Sequence, residues 1–246
     1  MSLLIKDDSI VTPGELIATG NEFQKGNGVF KEGENFYSKL VGVVFIKDHE
    51  IRVRPLKGRY YPKVGDKVIG IIEETGLTNW NVDIKGPYRG VLLASNAVKR
   101  KFDPIKDDAR RIYDVGDIVR AEIISFDRTK DPMLSTQFPN LGKLRGGRII
   151  EINPNHIPRV IGRKGSMLNK IKKATDTKIT VAQNGLVWIK GENSENEELV
   201  VETINMITKQ AHTNGLTDRV SAFLSDTQTK EDKKEWVKIM LDLMVG

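Results

Sequence analysis

The side chains that most often carry out catalysis are sparse in this chain and far apart. Its three histidines, His49, His156 and His212, fall in three different stretches of sequence, and there is no cysteine. None of the histidines has an obvious acidic partner, and no Gly-x-x-x-x-Gly-Lys-Ser/Thr phosphate loop occurs. The sequence therefore predicts no catalytic residue, no metal site and no cofactor, and it indicates a binding protein rather than an enzyme.

Basic side chains are the more informative feature. The chain of 246 residues carries 39 Lys and Arg against 33 Asp and Glu, which gives a net charge of +6. Most of this excess lies in one stretch, because Lys143 to Lys178 contains ten basic side chains and only two acidic ones, Glu151 and Asp176. A positive field this concentrated attracts a polyanion, although a solvated basic face is the alternative.

A Gly-x-x-Gly motif lies within this basic stretch, with Gly162 and Gly165 on either side of Arg163 and Lys164. The spacing alone is common in a chain with 22 glycines, but here it joins two predicted helices. Glycines let a backbone approach phosphates closely, and the N–H groups that begin the second helix attract anions. We therefore expect these four residues to bind an RNA backbone; an ordinary helix–turn–helix tip is the alternative.

A second set of candidates lies between residues 80 and 101. Aromatic faces stack on unpaired bases without demanding a sequence, at about 1–3 kcal/mol per base, while cations follow the phosphates. The candidate platforms are Trp80 and Tyr88, and core or interface packing explains Trp80 equally well. The candidate phosphate contacts are Lys85, Arg89, Lys99, Arg100 and Lys101. We expect Arg110 and Arg111 to pair locally with Asp107 and Asp108.

The glycine motif is positioned by a segment, 141–214, whose pattern predicts the order β-α-α-β-β-α. A strand at 147–152 precedes Pro154, which can begin a short helix ending near Ile161, and the motif then leads into a helix at 166–175. Strands at 178–182 and 186–190 flank Gln183-Asn184-Gly185, a hairpin signal. The last helix, 194–211, is expected to begin with a Ser194 cap followed by acidic residues that favour its positive end.

The aromatic candidates belong to segment 63–140. Five strands are predicted there, at 67–73, 80–84, 90–93, 118–126 and 133–137, and a long, partly helical connection separates the third from the fourth. This pattern favours a partly open five-stranded barrel. Residues 1–62 have the pattern of short antiparallel strands broken by turns, with strands at 36–47 and 50–54. Residues 215–246 have the pattern of a helical tail, with an apolar stripe at Val237, Met240, Leu241 and Met244 that a docking helix would bury; a frayed tail is the alternative.

These stretches resemble a known family. IPRVIGRKGSMLNKIKKAT and VAQNGLVWIKG resemble the KH domain of the archaeal exosome subunit called ribosomal-RNA-processing protein four. YYPKVGDKVIGII and NWNVDIKGPYRGVLLAS resemble its OB-fold domain of the ribosomal protein S-one type, and IVTPGELIATG and FYSKLVGVV resemble its N-terminal domain. The resemblance spans about residues 8–212 in the right order. One departure is Ala182, where relatives often have glycine before Gln-Asn-Gly.

The resemblance implies a multidomain fold, mainly β and then α+β: an N-terminal β-domain (1–62), a five-stranded OB barrel (63–140), a KH domain (141–214) and a helical C-terminal tail (215–246). It also implies a non-catalytic, RNA-binding cap subunit of the archaeal exosome. Three copies, alone or mixed with a related cap protein, would sit on a ring of RNase PH-like subunits. The cap would capture single-stranded RNA and feed it to the ring for 3′-to-5′ decay and for processing of ribosomal RNA.

Other proteins combine similar domains. Polynucleotide phosphorylase carries them in the opposite order after large catalytic domains, and a bacterial transcription elongation and termination factor carries two KH domains. A free-standing translational or RNA-chaperone module is the alternative from a different class. The N-terminus lacks the apolar stretch of a signal peptide, and no run approaches the ~18–20 apolar residues of a membrane span. We therefore expect a cytoplasmic protein with no membrane partner.

Overall fold

The computed structural model describes residues 2–55, 58, 60–100, 102–127, 129–211 and 215–226. The chain divides into two compact units, Met1–Gly58 and Arg59–Gly246. The second unit contains both the barrel and the α/β segment that carries the glycine motif.

Eight short strands make up the regular structure described in the first unit. They are β1 (Ser2–Leu3), β2 (Ile10–Val11), β3 (Leu16–Thr19), β4 (Gln24–Lys25), β5 (Val29–Glu32), β6 (Asn35–Ser38), β7 (Gly42–Lys47) and β8 (Glu50–Pro55). They form two four-stranded sheets, in the orders β1-β3-β6-β5 and β2-β7-β8-β4. Ile17, Phe36, Val44 and Ile51 are fully buried in the core of this unit.

The predicted strand at 36–47 is two strands rather than one. Ser38 ends the first of them, because its side chain is buried and donates a hydrogen bond to the carbonyl oxygen of Leu40, at 2.6 Å. The second strand begins at Gly42, where an added Cβ would lie 2.3 Å from the carbonyl oxygen of Arg54. The close pairing of β7 with β8 therefore needs a glycine at this position.

The second unit begins with a barrel. Its elements are β9 (Lys67–Thr75), β10 (Asn79–Asp83), β11 (Gly90–Leu93), α1 (Ala94–Ala97), a 3₁₀ turn (Ala109–Arg111), β12 (Ile118–Asp127), β13 (Lys130–Ser135) and β14 (Gly142–Leu144). The sheet order is β13-β11-β10-β9-β12-β14, and β13 also pairs with β12. The five-stranded barrel is thus closed, whereas the sequence favoured a partly open one; the parallel pairing of β11 with β13 completes the ring.

The remaining segment has the predicted order, which is confirmed. Its elements are β15 (Arg148–Glu151), a 3₁₀ turn (Pro154–His156), α2 (Ile157–Ile161), a 3₁₀ turn (Arg163–Gly165), α3 (Ser166–Thr175), β16 (Lys178–Val181), β17 (Leu186–Lys190) and α4 (Ser194–Lys209). The sheet order is β15-β17-β16, and the helices cover one face through residues such as Val160, Ile171, Val200 and Ile204, all fully buried. The expected Ser194 cap is wrong, because Asn193 occupies the cap position and makes no side-chain cap bond.

A fifth helix, α5, covers residues 216–226. Its residues Leu216, Val220 and Leu224 are buried in the same core as α2, α3 and α4. The start of the predicted tail therefore packs as part of the KH segment. The predicted apolar stripe at Val237, Met240, Leu241 and Met244 lies outside the described residues.

The KH hairpin turn is joined to the barrel. Gln183 exchanges two hydrogen bonds with the backbone of Lys67, each 3.0 Å long, and Asn184 bonds to the backbone of Ile69 and Ile84. Beneath the turn, Ile69 of β9 packs in one cluster with Ala182, Leu186 and Trp188. The small side chain of Ala182 is 1% exposed, so the alanine that departs from the family pattern fits this contact.

Candidate nucleic-acid interface

The Gly-x-x-Gly motif forms a tight, glycine-dependent loop between α2 and α3. Gly162 has a φ of 74°, and an added Cβ would lie 2.8 Å from both the Cβ and the backbone nitrogen of Met167. Gly165 has a φ of 78°, but an added Cβ there would meet nothing closer than Asn169 at 3.7 Å. Gly162 is thus required by both space and backbone conformation, and Gly165 by conformation alone.

The two residues between these glycines face solvent. Arg163 and Lys164 are both exposed, and Lys164 adopts the left-handed region, with a φ of 51°. Residues other than glycine adopt this conformation infrequently, and such positions cluster at binding loops. The loop therefore presents two cations at the point where α3 begins.

The N-terminus of α3 is open to an anion. Its N-cap residue is Gly165, which offers no side-chain acceptor, and no acidic residue lies in the first turn. Backbone N–H groups at the start of a helix carry partial positive charge and lack partners within the helix. Together with Arg163 and Lys164, this end of α3 has the chemistry of a phosphate site.

Part of the basic cluster identified from the sequence is occupied by ion pairs. Arg148 pairs with Glu197 at 3.2 Å and with Glu198 at 2.7 Å, and Lys143 pairs with Asp117 at 2.5 Å. Lys170 donates to the hydroxyl oxygen of Ser221 on α5, at 2.9 Å. These side chains join elements of the fold, so fewer basic side chains are available to a ligand than the sequence indicated.

Trp80 is not a stacking platform. Its side chain is fully buried in the barrel core, its ring packs edge-to-face on Tyr113 at 5.4 Å, and its indole N–H donates to the carbonyl oxygen of Tyr113 at 2.8 Å. A base has no access to a ring in this position. The alternation of β10 turns Trp80 and Val82 inward, which is the packing alternative that the sequence left open.

Three of the proposed phosphate contacts on the barrel have acidic partners. Lys85 pairs with Asp83 at 2.7 Å and Arg89 with Glu73 at 3.4 Å, and Arg100 makes two hydrogen bonds to Asp107, at 2.6 and 2.8 Å. The hydrogen bond with Asp83 raises the pKa of Lys85. A phosphate at these positions would compete with a carboxylate.

The Arg100–Asp107 pair is the tightest of these. Hydrogen bonds from Arg100 and then from the backbone N–H of Asp103 lower the pKa of Asp107 to about 2. The expected local pairing of Arg111 with Asp108 is present but longer, at 3.9 Å. Lys99 and Arg100 lie on the wall of a cavity of about 510 Å³ that Leu93 and Phe102 also line. Lys101 lies outside the described residues.

Tyr88 belongs to an aromatic group that the sequence analysis missed. Its ring lies 5.9 Å from that of Tyr61 and 5.0 Å from that of Phe126, and Tyr61 and Phe126 are 5.7 Å apart. Tyr61 is 43% exposed, and the other two are half-buried. The three residues come from separate parts of the chain, so no local pattern connects them.

Within the described residues, no group of three or more His, Asp and Glu side chains is placed to hold a metal ion. None of the helices in the described ranges has both the length and the apolar character needed to cross a bilayer. Two features of the described residues are candidates for binding, the loop at α3 and the group of Tyr61, Tyr88 and Phe126 on the barrel.

Comparison with known proteins finds matches along most of the chain. Residues 8–57 match the family model of the exosome RNA binding protein RRP4 N-terminal domain, residues 59–125 match the RRP4 S1 domain, and residues 147–206 match the KH domain. The exosome complex component Rrp4 of Thermococcus kodakarensis is 43% identical over 224 residues, covering 90% of this chain and 87% of that protein. That of Thermofilum pendens is 39% identical, covering 92% and 96%.

A solved crystal structure that carries the description of an exosome complex RNA-binding protein is also similar. Its sequence is 40% identical, and the two structures superpose with a TM-score of 0.66. The match covers 71% of this chain and 99% of that protein. The order of the three matched domains and the sequence identity over about 90% of the chain point to the same family. The chain belongs to the Rrp4 family of exosome complex components.

Proposed function

We propose that this protein is a non-catalytic, RNA-binding cap subunit of an archaeal exosome. In this role it captures single-stranded RNA and passes it to a ring of RNase PH-like subunits for 3′-to-5′ decay and for RNA processing. Its relatives are named as exosome complex components, and the matched S1 and KH domains are RNA-binding modules, which supports the proposal.

The observation that carries the proposal is the loop at the start of α3. Two glycines at positive φ shape this loop, and Arg163 and Lys164 are exposed between them. A backbone-following contact of this kind binds RNA largely irrespective of sequence. Such a contact suits a subunit that accepts many substrates and leaves the chemistry to other chains.

The assembly we propose contains three copies of this subunit on the ring, alone or mixed with a related cap protein, in the cytoplasm. Gel filtration of the full chain with the RNase PH-like proteins of the same organism tests it. The expected result is one large complex, which degrades long RNA faster than the ring alone. The isolated chain is expected to bind RNA and to leave it intact.

Two results would contradict the proposal. One is separate elution of this chain and the ring under conditions in which the ring itself assembles. The other is RNA turnover by the isolated chain that survives repurification and changes when its histidines or acidic residues are substituted. Separate elution combined with RNA binding would favour the free-standing RNA module instead.

A further inference from the structure

The group formed by Tyr61, Tyr88 and Phe126 lies at one end of the barrel. Tyr61 precedes the start of β9, Tyr88 is in the connection from β10 to β11, and Phe126 is near the end of β12. Because β9 is antiparallel to both β10 and β12, these three positions meet at the same end. The fold thus gathers rings that are 27 and 38 residues apart along the chain.

The rings are oriented by one another. All three pairs are edge-to-face, with interplanar angles of 86° for Tyr61–Tyr88 and 70° for each of the two pairs that include Phe126. Phe126 also packs against the barrel core, which anchors the group. In an edge-to-face pair, the ring that contributes its edge keeps its faces uncovered by that neighbour. Since Tyr61 is 43% exposed, an anchored aromatic surface is open to solvent.

Two exposed cations lie close to members of the group along the sequence. Lys63 follows Tyr61 by two residues, and Arg89 follows Tyr88 directly; both are exposed. The ion pair of Arg89 with Glu73 is 3.4 Å long, and the Arg89 side chain is 63% exposed, so the pair is weak and open to competition. Asp127, the acid beside Phe126, accepts hydrogen bonds from the backbone N–H and the hydroxyl of Thr129.

We propose that Tyr61, Tyr88 and Phe126 form a base-stacking site for single-stranded RNA, with Lys63 and Arg89 contacting the adjoining phosphates. This inference rests on the proposed RNA-binding function and adds a site to it. A ring held in place before binding loses little conformational entropy when a base stacks on it. Stacking also accepts any base, so the site complements the phosphate-binding loop at α3.

The test uses the full chain and two fluorescent oligomers of equal length and charge, an oligoadenylate and an abasic ribose–phosphate chain. Binding is measured by fluorescence anisotropy at low salt. Tyr61→Leu removes the ring but keeps an apolar side chain, and Tyr61→Phe keeps the ring. The matched control is Phe138→Leu, because Phe138 is exposed to a similar extent, at 45%, and does not belong to the aromatic group.

We expect the unaltered protein to bind oligoadenylate more tightly than the abasic chain. Tyr61→Leu should weaken oligoadenylate binding by about fivefold or more, the equivalent of one stacked base, and leave abasic binding unchanged. Tyr61→Phe and Phe138→Leu should each stay within about twofold of the unaltered protein. Photocrosslinking of a 5-iodouridine oligomer to the unaltered protein should modify Tyr61, Tyr88 or Phe126.

Three outcomes would overturn the site. Equal affinity of the unaltered protein for both oligomers, oligoadenylate binding unchanged by Tyr61→Leu, or cross-links confined to other residues would each leave the group as packing at the barrel end. RNA binding through the loop at α3, and with it the proposed function, would stand in all three cases. Failure of the unaltered protein to bind either oligomer would remove the site and the proposed RNA capture together.

Discussion

The side-chain nitrogen of Asn184, in the KH hairpin turn, donates to the carbonyl oxygen of Ile69 on the first strand of the barrel, at 2.7 Å. The same nitrogen donates to the carbonyl oxygen of Ile84 at 2.8 Å, and the side-chain oxygen accepts from the backbone N–H of Ile69 at 3.3 Å. Asn184 is 2% exposed, so these bonds are shielded from water. One amide therefore joins the KH hairpin turn to two strand positions of the barrel.

Replacing Asn184 by alanine should destabilise the second unit. The change leaves buried backbone groups of Ile69 and Ile84 without partners, and each such group costs about 1–3 kcal/mol. We expect the thermal midpoint to fall by at least about 6 °C, since three such groups lose their partner and 1 kcal/mol corresponds to about 2–4 °C for a domain of this size. Asn205→Ala, an exposed asparagine on α4, should change the midpoint little and serves as the control. Equal midpoints for the two variants would contradict the bridging role.

Trp80→Leu should lower the stability of the protein but not its RNA affinity, whereas Tyr61→Leu should lower the RNA affinity. Trp80 is in the barrel core, so its replacement should lower the unfolding free energy by up to about 5 kcal/mol, the limit for truncating a buried tryptophan to alanine. The folded fraction should bind RNA as the unaltered protein does. Urea unfolding and anisotropy on the same samples check both quantities. A large loss of RNA affinity with unchanged stability would show that Trp80 contacts RNA and is not a core residue.

Reversing both charges of the loop, with Arg163→Glu and Lys164→Glu, should weaken binding to single-stranded RNA. If each side chain neutralises one phosphate, the slope of log affinity against log salt should fall in magnitude by about 1.4, at ~0.7 per phosphate. The control is Lys39→Glu with Lys47→Glu, which changes the net charge equally on exposed side chains of the first unit. An equal loss in the control would show that overall charge, rather than the loop, governs affinity.

The carboxyl group of Asp107 should titrate at unusually low pH. Its pKa is about 2 in the folded protein, below the ordinary value of 3.8, because Arg100 stabilises the charged form. A lowered acid pKa contributes stability above the ordinary pKa, and this contribution is lost as the pH falls towards 2. Carbon NMR of the carboxyl between about pH 1 and 7 measures the midpoint. Arg100→Gln should raise this midpoint towards the ordinary value. A midpoint near 3.8 in the unaltered protein would contradict the ion pair between Arg100 and Asp107.

Removing the negative charge of Asp107 should strengthen RNA binding if Arg100 contacts phosphate. Asp107→Asn removes the competing charge, and exposed ion pairs of this kind are weak, so affinity should rise by no more than about fivefold. Asp131→Asn adds the same net charge at another exposed position of the barrel and is the control. An equal rise in both variants, measured by anisotropy, would assign the effect to net charge alone.

Local patterns in the sequence predicted much of the fold. The helix at 166–175 and the strand at 186–190 agree with α3 and β17 at both ends, because apolar spacing and turn residues act over a few neighbours. Gly162 was identified for the same reason, since a positive φ is a property of one residue and its loop. One predicted strand, 36–47, is wrong. The structure begins a new strand at Gly42, where the backbone lies close to Arg54 of the paired strand.

The sequence by itself determined the order of domains, the glycine loop with its two cations and the absence of cysteine. Only the tertiary structure decided that Trp80 is core, that Arg100 is held by Asp107, and that Tyr61, Tyr88 and Phe126 share one surface. The physical reason is range. Backbone conformation and amphipathic periodicity depend on neighbours within a turn or a strand, whereas exposure and charge pairing depend on which distant segments pack together when the barrel closes.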